Sequence, residues 1–146
     1  KSVWPIALMA AIPVFLLGTV GWMAYNGEME GLKQTAQTWL FLNALLAGLG
    51  VLIARGHPLS ILVGAVASPI TSLNPTLAAG WFAGYTQLKV ASPTGKDARD
   101  FLKLDETSLF WRNRVGRVLL VTALGNVGSM VGAWLAGASI LGMLIS

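Results

Sequence analysis

The stretch SPITSLNPTLAAG, residues 68–80, interrupts the longest uncharged part of the chain. It places two prolines, one asparagine and four hydroxyl side chains where a hydrophobic helix would be expected to continue. The residue before a proline avoids helical backbone angles, so Ser68 and Pro69 predict the end of one helix. Asn74 is a good N-cap and Pro75 suits a first helical position, so a second helix is predicted to begin there. This part of the chain is therefore predicted to form two helical pieces joined by a non-helical connection.

The composition around this break is typical of a membrane protein. The chain is 55% hydrophobic and only 11% charged, whereas a soluble domain carries about 25% charged residues. The four longest uncharged runs each hold about 20 residues or more, enough to cross a hydrocarbon core of ~30 Å. With no cysteine and a single histidine, His57, the sequence excludes disulfides and sites built from several histidines. We predict an all-α integral membrane protein that crosses the bilayer several times.

Four main transmembrane segments are predicted within a single domain of residues 1–146. Their approximate bounds are 3–25, 38–54, 59–88 and 118–145, with the third segment broken between Pro69 and Pro75. A polar loop is expected over residues 26–37. A short amphipathic helix at the membrane surface is expected over residues 97–104, where DARDFLKL spaces its apolar residues on one face.

Two arrangements fit the broken third segment. The two pieces either lie in line and cross the membrane once, or fold back as a re-entrant hairpin with both ends on one side. Residues 89–117 carry seven Lys or Arg against four acids and are expected to face the cytoplasm. A hairpin would bring Lys1 and Arg55 to that side too, so the charges lean slightly toward the hairpin without deciding the question.

The polar side chains of the break are candidates for a binding site or a polar pathway. Non-helical backbone at membrane depth persists only where it is buried in protein or lines water. Broken helices of this kind recur at binding sites in transporters and channels. The competing interpretation is a kinked helix whose polar groups satisfy one another. The candidate residues are Ser68, Thr71, Ser72, Asn74 and Thr76.

Two further amides lie within apolar segments, at Asn43 and Asn126. An amide inside a membrane must find a hydrogen-bonding partner, and such bonds contribute about 0.6–2 kcal/mol. Both are expected to hydrogen-bond inside the helix bundle as structural groups. His57 is expected at the membrane edge and not as a metal ligand, because no carboxylates flank it.

Small residues recur at helical spacing in two apolar segments. They allow helix backbones to approach closely, which is how membrane helices associate. Packing within one subunit and a homodimer contact both fit this pattern. The glycines concerned are Gly80, Gly84, Gly125, Gly128 and Gly132.

The motif FWRNRVGR, residues 110–117, leads into the last segment. Arg112, Arg114 and Arg117 cannot all face one direction on a helix. We expect them to anchor the segment at the interface, through lipid phosphates and through backbone or carboxylate groups of the protein.

Two stretches of the chain resemble a known family. GHPLSILVGAVASPITSLNPTLAAGWFAGYTQ and FWRNRVGRVLLVTALGNVGS, about a third of the chain, resemble the C-terminal membrane domain of the TraB/PrgY pheromone-shutdown family, related to Tiki and EreA-like proteins. The resemblance implies a prokaryotic plasma-membrane location. It also implies an N-terminal soluble domain, absent from this chain, which in the Tiki branch is a metal-dependent protease.

None of that catalytic apparatus carries over to this chain, because it has no Gly-x-x-His motif. We therefore expect no catalytic residue, metal or cofactor here. The first hypothesis is an anchoring and oligomerisation domain whose partners are the lipid bilayer, a second copy and its own soluble domain, which would act on peptide pheromone. The alternative is a small channel or transporter with a polar pathway at the break. Nucleic acid is not an expected partner.

Overall fold

The computed structural model describes residues 3–74, 78–102 and 109–145. The elements of these residues are all helical: α1 (Trp4–Tyr25), α2 (Met29–Ile53), α3 (Pro58–Thr71), α4 (Ala79–Ala91), α5 (Gly95–Phe101), α6 (Leu109–Arg112) and α7 (Arg114–Ile145). The predicted all-α class is confirmed for this part of the chain. By length and composition, α2 and α7 are apolar enough to cross a membrane.

The centre of the structure is an antiparallel pair formed by α2 and α7. Gly128 lies against the backbone of Leu46, and Gly132 lies against the backbone of Leu42. Residue numbers therefore rise along one helix as they fall along the other. The absence of side chains at these glycines lets the two backbones approach closely, and a buried apolar cluster around Trp39 and Ile140 continues the interface.

The broken third segment folds back on itself as a hairpin of α3 and α4. Ser60 donates a hydrogen bond to Gln87 at 3.0 Å, and Gly64 packs against Ala83. If the two pieces lay in line, Ser60 and Gln87 would be about 40 Å apart at 1.5 Å per residue. The two pieces therefore fold back on each other, the arrangement toward which the charges leaned, and do not lie in line.

The bounds of the two hairpin helices differ from the sequence prediction. α3 does not end at Ser68 but continues through Pro69 to Thr71. Pro69 lies in the last turn, where its missing N–H costs a single helical bond, and its buried carbonyl accepts a hydrogen bond from the Trp39 indole at 3.0 Å. The second helix begins at Ala79 after an extended Ala78. Asn74 is therefore not its N-cap, and the prediction for Pro75 lies outside the described residues.

The connection between α1 and α2 is shorter than predicted. The expected polar loop over residues 26–37 is wrong in its extent, because α2 already begins at Met29. Gly27, with φ at +70°, makes the turn. Packing against α1 keeps the start of α2 helical, since the Thr35 hydroxyl meets the Met23 sulfur at 3.4 Å. α7 likewise begins four residues before the predicted 118, at Arg114.

The two ends of the bundle differ in charge. At one end Trp111 donates a hydrogen bond to the Ile53 carbonyl at 2.8 Å, which brings the start of α7 beside the end of α2. We call this the basic end; among the described residues it holds Arg55, Lys89, Lys96, Arg99, Arg112, Arg114 and Arg117 against Asp97 and Asp100. The opposite end holds Glu28, Glu30 and Lys33.

α1 also runs along the bundle, from the basic end to the opposite end. Met23 lies near Gly31 at the start of α2, and Ile12 lies near Gly137 of α7. Leu8, nearer the start of α1, lines a cleft together with Asn126 and Ser129 of α7. Three helices, α1, α2 and α7, thus extend along the bundle, and the α3–α4 hairpin enters from the basic end and returns to it.

Candidate functional site

The hairpin tip brings together polar side chains from three helices. We call Asn43, Ser68, Ser72 and Ser129 the tip cluster. The Ser68 and Ser129 hydroxyls are 2.7 Å apart, and Ser72 lies 3.2 Å from Ser129. The Ser72 and Ser68 hydroxyls also donate to the side-chain oxygen of Asn43, at 2.7 and 3.4 Å respectively. The cluster therefore joins the hairpin to both central helices.

Asn43 is the central member of the tip cluster. It is fully buried, and its amide nitrogen donates to the Trp39 carbonyl at 2.9 Å. Among the described residues, every buried side-chain nitrogen or oxygen has a hydrogen-bonding partner. Because unsatisfied buried polar groups are costly, this cluster stabilises the hairpin tip in its position between α2 and α7.

A cleft of about 330 Å³ lies beside the tip cluster, between α1 and α7. Its lining combines hydroxyl and amide groups with apolar walls, and none of the described lining residues is ionisable. Such a surface suits an uncharged hydrogen-bonding ligand and provides no nucleophile–base pair. The polar lining residues are Thr71, Ser72, Asn74, Asn126 and Ser129; the others are Leu8, Ile12, Pro13, Ala78, Ala79, Met130, Ala133 and Trp134.

The residues predicted for the polar break differ in how deeply they are buried. Ser68 and Thr71 are buried, Ser72 is half-buried and Asn74 is exposed in the cleft. The Thr71 hydroxyl bonds back to the Ser68 carbonyl at 3.4 Å, within its own helix. The prediction for Thr76 lies outside the described residues.

Asn126 connects α7 to the hairpin. Its side-chain oxygen accepts a hydrogen bond from the Gly80 backbone N–H at 2.7 Å, at the start of α4. This bond satisfies one of the N–H groups that a helix start leaves without an internal partner. Asn126 therefore fixes the position of the second hairpin helix.

The open end of the hairpin is closed by a residue that the sequence analysis did not select. The Gln87 side-chain oxygen accepts hydrogen bonds from the His57 backbone N–H at 2.7 Å and from the Ser60 hydroxyl at 3.0 Å. His57 uses its Nδ1 as an acceptor for Leu59 N–H and caps α3. A polar side chain near the end of an apolar helix was the available signal for Gln87.

The five predicted packing glycines lie inside the chain's own interfaces. A methyl group at Gly80 or Gly84 would overlap Thr122, and at Gly128 it would overlap the Leu46 carbonyl oxygen. At Gly125 it would lie 3.2 Å from the Gly80 backbone. Of the two interpretations left open by the sequence, packing within one subunit occupies this face. A dimer would need a different surface.

The three predicted anchor arginines divide between protein and surroundings. The Arg117 guanidinium donates to the Trp111 carbonyl, while Arg112 and Arg114 are exposed. Asn113, which the sequence analysis did not select, organises the junction between α6 and α7. Its side-chain oxygen accepts from Val115 and Gly116 N–H at 2.9 and 3.0 Å.

The short helix α5 begins with a reciprocal cap. The Thr94 hydroxyl accepts a hydrogen bond from Asp97 N–H, and the Asp97 carboxylate accepts from Thr94 N–H at 2.8 Å. The backbone bond from Thr94 lowers the pKa of Asp97, helped by the Thr94 hydroxyl and by the charges of Arg114 and Lys96. No group of three or more His, Cys, Asp or Glu that could hold a metal occurs in the part of the chain that the structure describes.

Comparison with known proteins places this architecture in a family. Residues 4–145 match the model of the TraB family protein C-terminal domain. The chain is 34% identical over 117 residues to the uncharacterized protein MJ1365 of Methanocaldococcus jannaschii, covering 79% of this chain and 30% of that protein. No solved structure matches the chain. With the match extending over almost every residue, the chain belongs to the TraB family and corresponds to its C-terminal domain.

Proposed function

We propose that this chain is a membrane-embedded anchoring domain. The observation that supports this proposal is the distribution of polarity in the chain, which is the reverse of that in a soluble protein. Buried positions are largely alanine, glycine and polar residues, whereas large apolar side chains such as Phe41, Leu62 and Trp81 are exposed. A water-soluble monomer rarely exposes large continuous apolar surface, and a lipid-facing surface requires it.

The charge distribution supports an orientation for this domain. Lys and Arg concentrate at the basic end, which would face the cytoplasm under the positive-inside rule. The start of α1 points toward that end. A soluble domain preceding α1 would therefore lie on the cytoplasmic side.

The role of the domain would be to hold a soluble domain at the membrane. The chain spans 30% of the length of its archaeal relative, so most of that relative lies outside the matched region. We propose a hydrolase acting on a peptide such as a pheromone as the partner domain, on the resemblance to the pheromone-shutdown family. We also propose homodimerisation through exposed apolar faces, since the glycine faces are occupied within the chain.

A second candidate function is a small channel or transporter. The cleft beside the hairpin tip favours it, because hydroxyl and amide groups line a cavity next to a re-entrant break. The internal hydrogen bonding of the tip cluster favours the anchor, since its polar groups already have partners. Flux through proteoliposomes separates the two: Asn74→Ala should change solute flux without loss of folding only if the cleft belongs to a pathway.

Single-cysteine labelling tests the anchor proposal, because the chain has no native thiol. Glu28→Cys and Lys96→Cys place exposed thiols at the two ends of the bundle. In intact cells, an impermeant maleimide should label position 28, and position 96 only after permeabilisation. The protein should also remain in membranes washed with alkaline carbonate. Release by carbonate would overturn membrane embedding, and labelling of position 96 alone would reverse the orientation.

A further inference from the structure

The junction between α6 and α7 is held rigidly against the end of α2. The Trp111 indole donates to the Ile53 carbonyl. The Asn113 amide donates to the Asp97 carbonyl at 2.8 Å, which ties α5 to the same junction. Arg117 closes the junction through the Trp111 carbonyl. The position of any side chain carried by this junction is therefore fixed relative to α2.

Two exposed arginines at this junction take no part in the bonds that hold it together. Arg55 follows Ile53 by two residues, in the turn after α2, with a left-handed φ of 59°. Arg112 follows Trp111 directly. Both are exposed, and none of the hydrogen bonds that tie the junction uses either guanidinium. The nearby Arg114 differs, because it lies beside the carboxylate of Asp97.

Apolar surface begins immediately beside these arginines. Leu52 and Ile53 are 54% and 62% exposed at the end of α2. The half-buried Trp111 lies between charge and apolar surface, a position that tryptophan favours at membrane interfaces. A free phosphate would use only the arginines, whereas a phospholipid would use the arginines and the apolar surface together.

We propose that Arg55 and Arg112 bind the headgroup of an anionic phospholipid, whose acyl chains lie along Leu52 and Ile53. The proposal rests on the membrane-embedded function proposed above. Guanidinium groups suit phosphate because their donors match its oxygens in pairs. The site would fix the depth of the basic end at the cytoplasmic leaflet, where anionic lipids create a negative surface.

Native mass spectrometry of the purified protein, with phosphatidylglycerol or phosphatidylcholine added to the detergent, tests this site. The unaltered chain should retain phosphatidylglycerol in preference to phosphatidylcholine. Each arginine near an anionic headgroup contributes roughly a five-fold effect, so Arg55→Gln with Arg112→Gln should reduce that preference roughly 25-fold. Adding inorganic phosphate should leave the preference unchanged, since it offers no acyl chain.

The matched control is Lys96→Gln with Arg99→Gln, which removes two exposed charges of α5 at the same end. It should keep the lipid preference. An equal loss in both double variants would overturn the proposal, because it would show a diffuse basic surface. No preference in the unaltered chain would also overturn it. Retention in carbonate-washed membranes measures membrane embedding independently of lipid preference. Failure of the lipid site can therefore be distinguished from failure of the anchor proposal.

Discussion

α1 and α7 both contain glycines at regular intervals, but the structure uses them differently. Next to Gly18 and Gly21 of α1, a methyl group would meet no atom of the described residues within 4 Å. At Gly132 of α7 it would lie 2.6 Å from the Leu42 carbonyl oxygen, and at Gly128 it would overlap the Leu46 carbonyl. A glycine pattern in a helix therefore does not itself mark an interface. What marks one is the backbone of another helix in the space where a side chain would stand.

The difference identifies α7 as the central helix of the domain and α1 as a peripheral one. α7 contacts α2, α4 and the hairpin tip through small residues and through Asn126 and Ser129. α1 meets the bundle chiefly through larger side chains, such as Leu16 and Ile12 in the apolar cluster with Ile140. Close packing in this domain is therefore concentrated where backbones meet.

Alanine at Gly128 and at Gly18 should give the largest contrast. Gly128→Ala forces α2 and α7 apart and should lower the free energy of unfolding by about 3 kcal/mol, the upper part of the range for overpacking. Gly18→Ala meets open space and should change it by no more than about 1 kcal/mol, as the helix propensities suggest. Unfolding in detergent, followed by circular dichroism, measures both.

Equal effects of the two substitutions would contradict the packing described here. Loss of a cross-linked dimer in Gly128→Ala does not by itself identify the dimer surface, because unfolding would abolish a dimer formed by any surface. An intact helical signal with loss of dimer would instead restore the glycine face as an intermolecular contact.

Two asparagines extend the comparison to hydrogen bonds. Asn43 and Asn26 each donate from the side chain to the carbonyl four residues earlier, at 2.9 and 3.0 Å. Asn43 is buried in the tip cluster, whereas Asn26 is exposed after α1. Asn43→Ala should therefore cost about 1–3 kcal/mol, since Ser72 loses its acceptor inside the bundle. Asn26→Ala should stay within about 0.5 kcal/mol. The same unfolding assay would refute a structural role for the tip cluster if Asn43→Ala were as mild as Asn26→Ala.

The smallest expected effect lies outside the bundle core, at the cap of α5. The lowered pKa of Asp97 means that its ionised form favours the folded cap. This contribution is present above the carboxyl's unfolded pKa and is lost as the pH falls through the lower folded pKa. Thr94→Ala should raise the pKa of Asp97 only part of the way back toward its ordinary value, because the backbone N–H of residue 94 still donates to the carboxylate. Thr94→Ser should preserve it, and an NMR titration of the Asp97 carboxyl measures all three proteins.

The sequence located the break but not its direction. Prolines and hydroxyls between residues 68 and 76 predicted where the helix is interrupted, since these preferences are local. Whether the second piece continues or folds back depends on distant partners, such as Gln87 for Ser60 and Asn126 for Gly80. The charge count favoured the hairpin, but the two arrangements differed only in the side to which they assign Lys1 and Arg55.

Local rules also failed where tertiary packing opposed them. Pro69 was expected to end α3, but the carbonyl of this buried residue accepts the Trp39 indole and the helix extends to Thr71. Gln87 and Asn113 were missed because each bonds a backbone group distant in sequence, the His57 N–H and the Asp97 carbonyl respectively. Asn43 was selected as an amide in an apolar segment, but its serine partners could not be assigned from spacing alone.

The link between Ser68 and Ser129 also bears on biosynthesis. These residues are separated by 61 positions, and Ser129 belongs to α7, which is synthesised after α2, α3 and α4. If the domain enters the membrane during translation, the hairpin tip has no partner on α7 until that helix emerges from the ribosome. Docking of the tip against α7 must then be a late step, whereas the bonds from Ser68 and Ser72 to Asn43 of α2 can form before α7 is made.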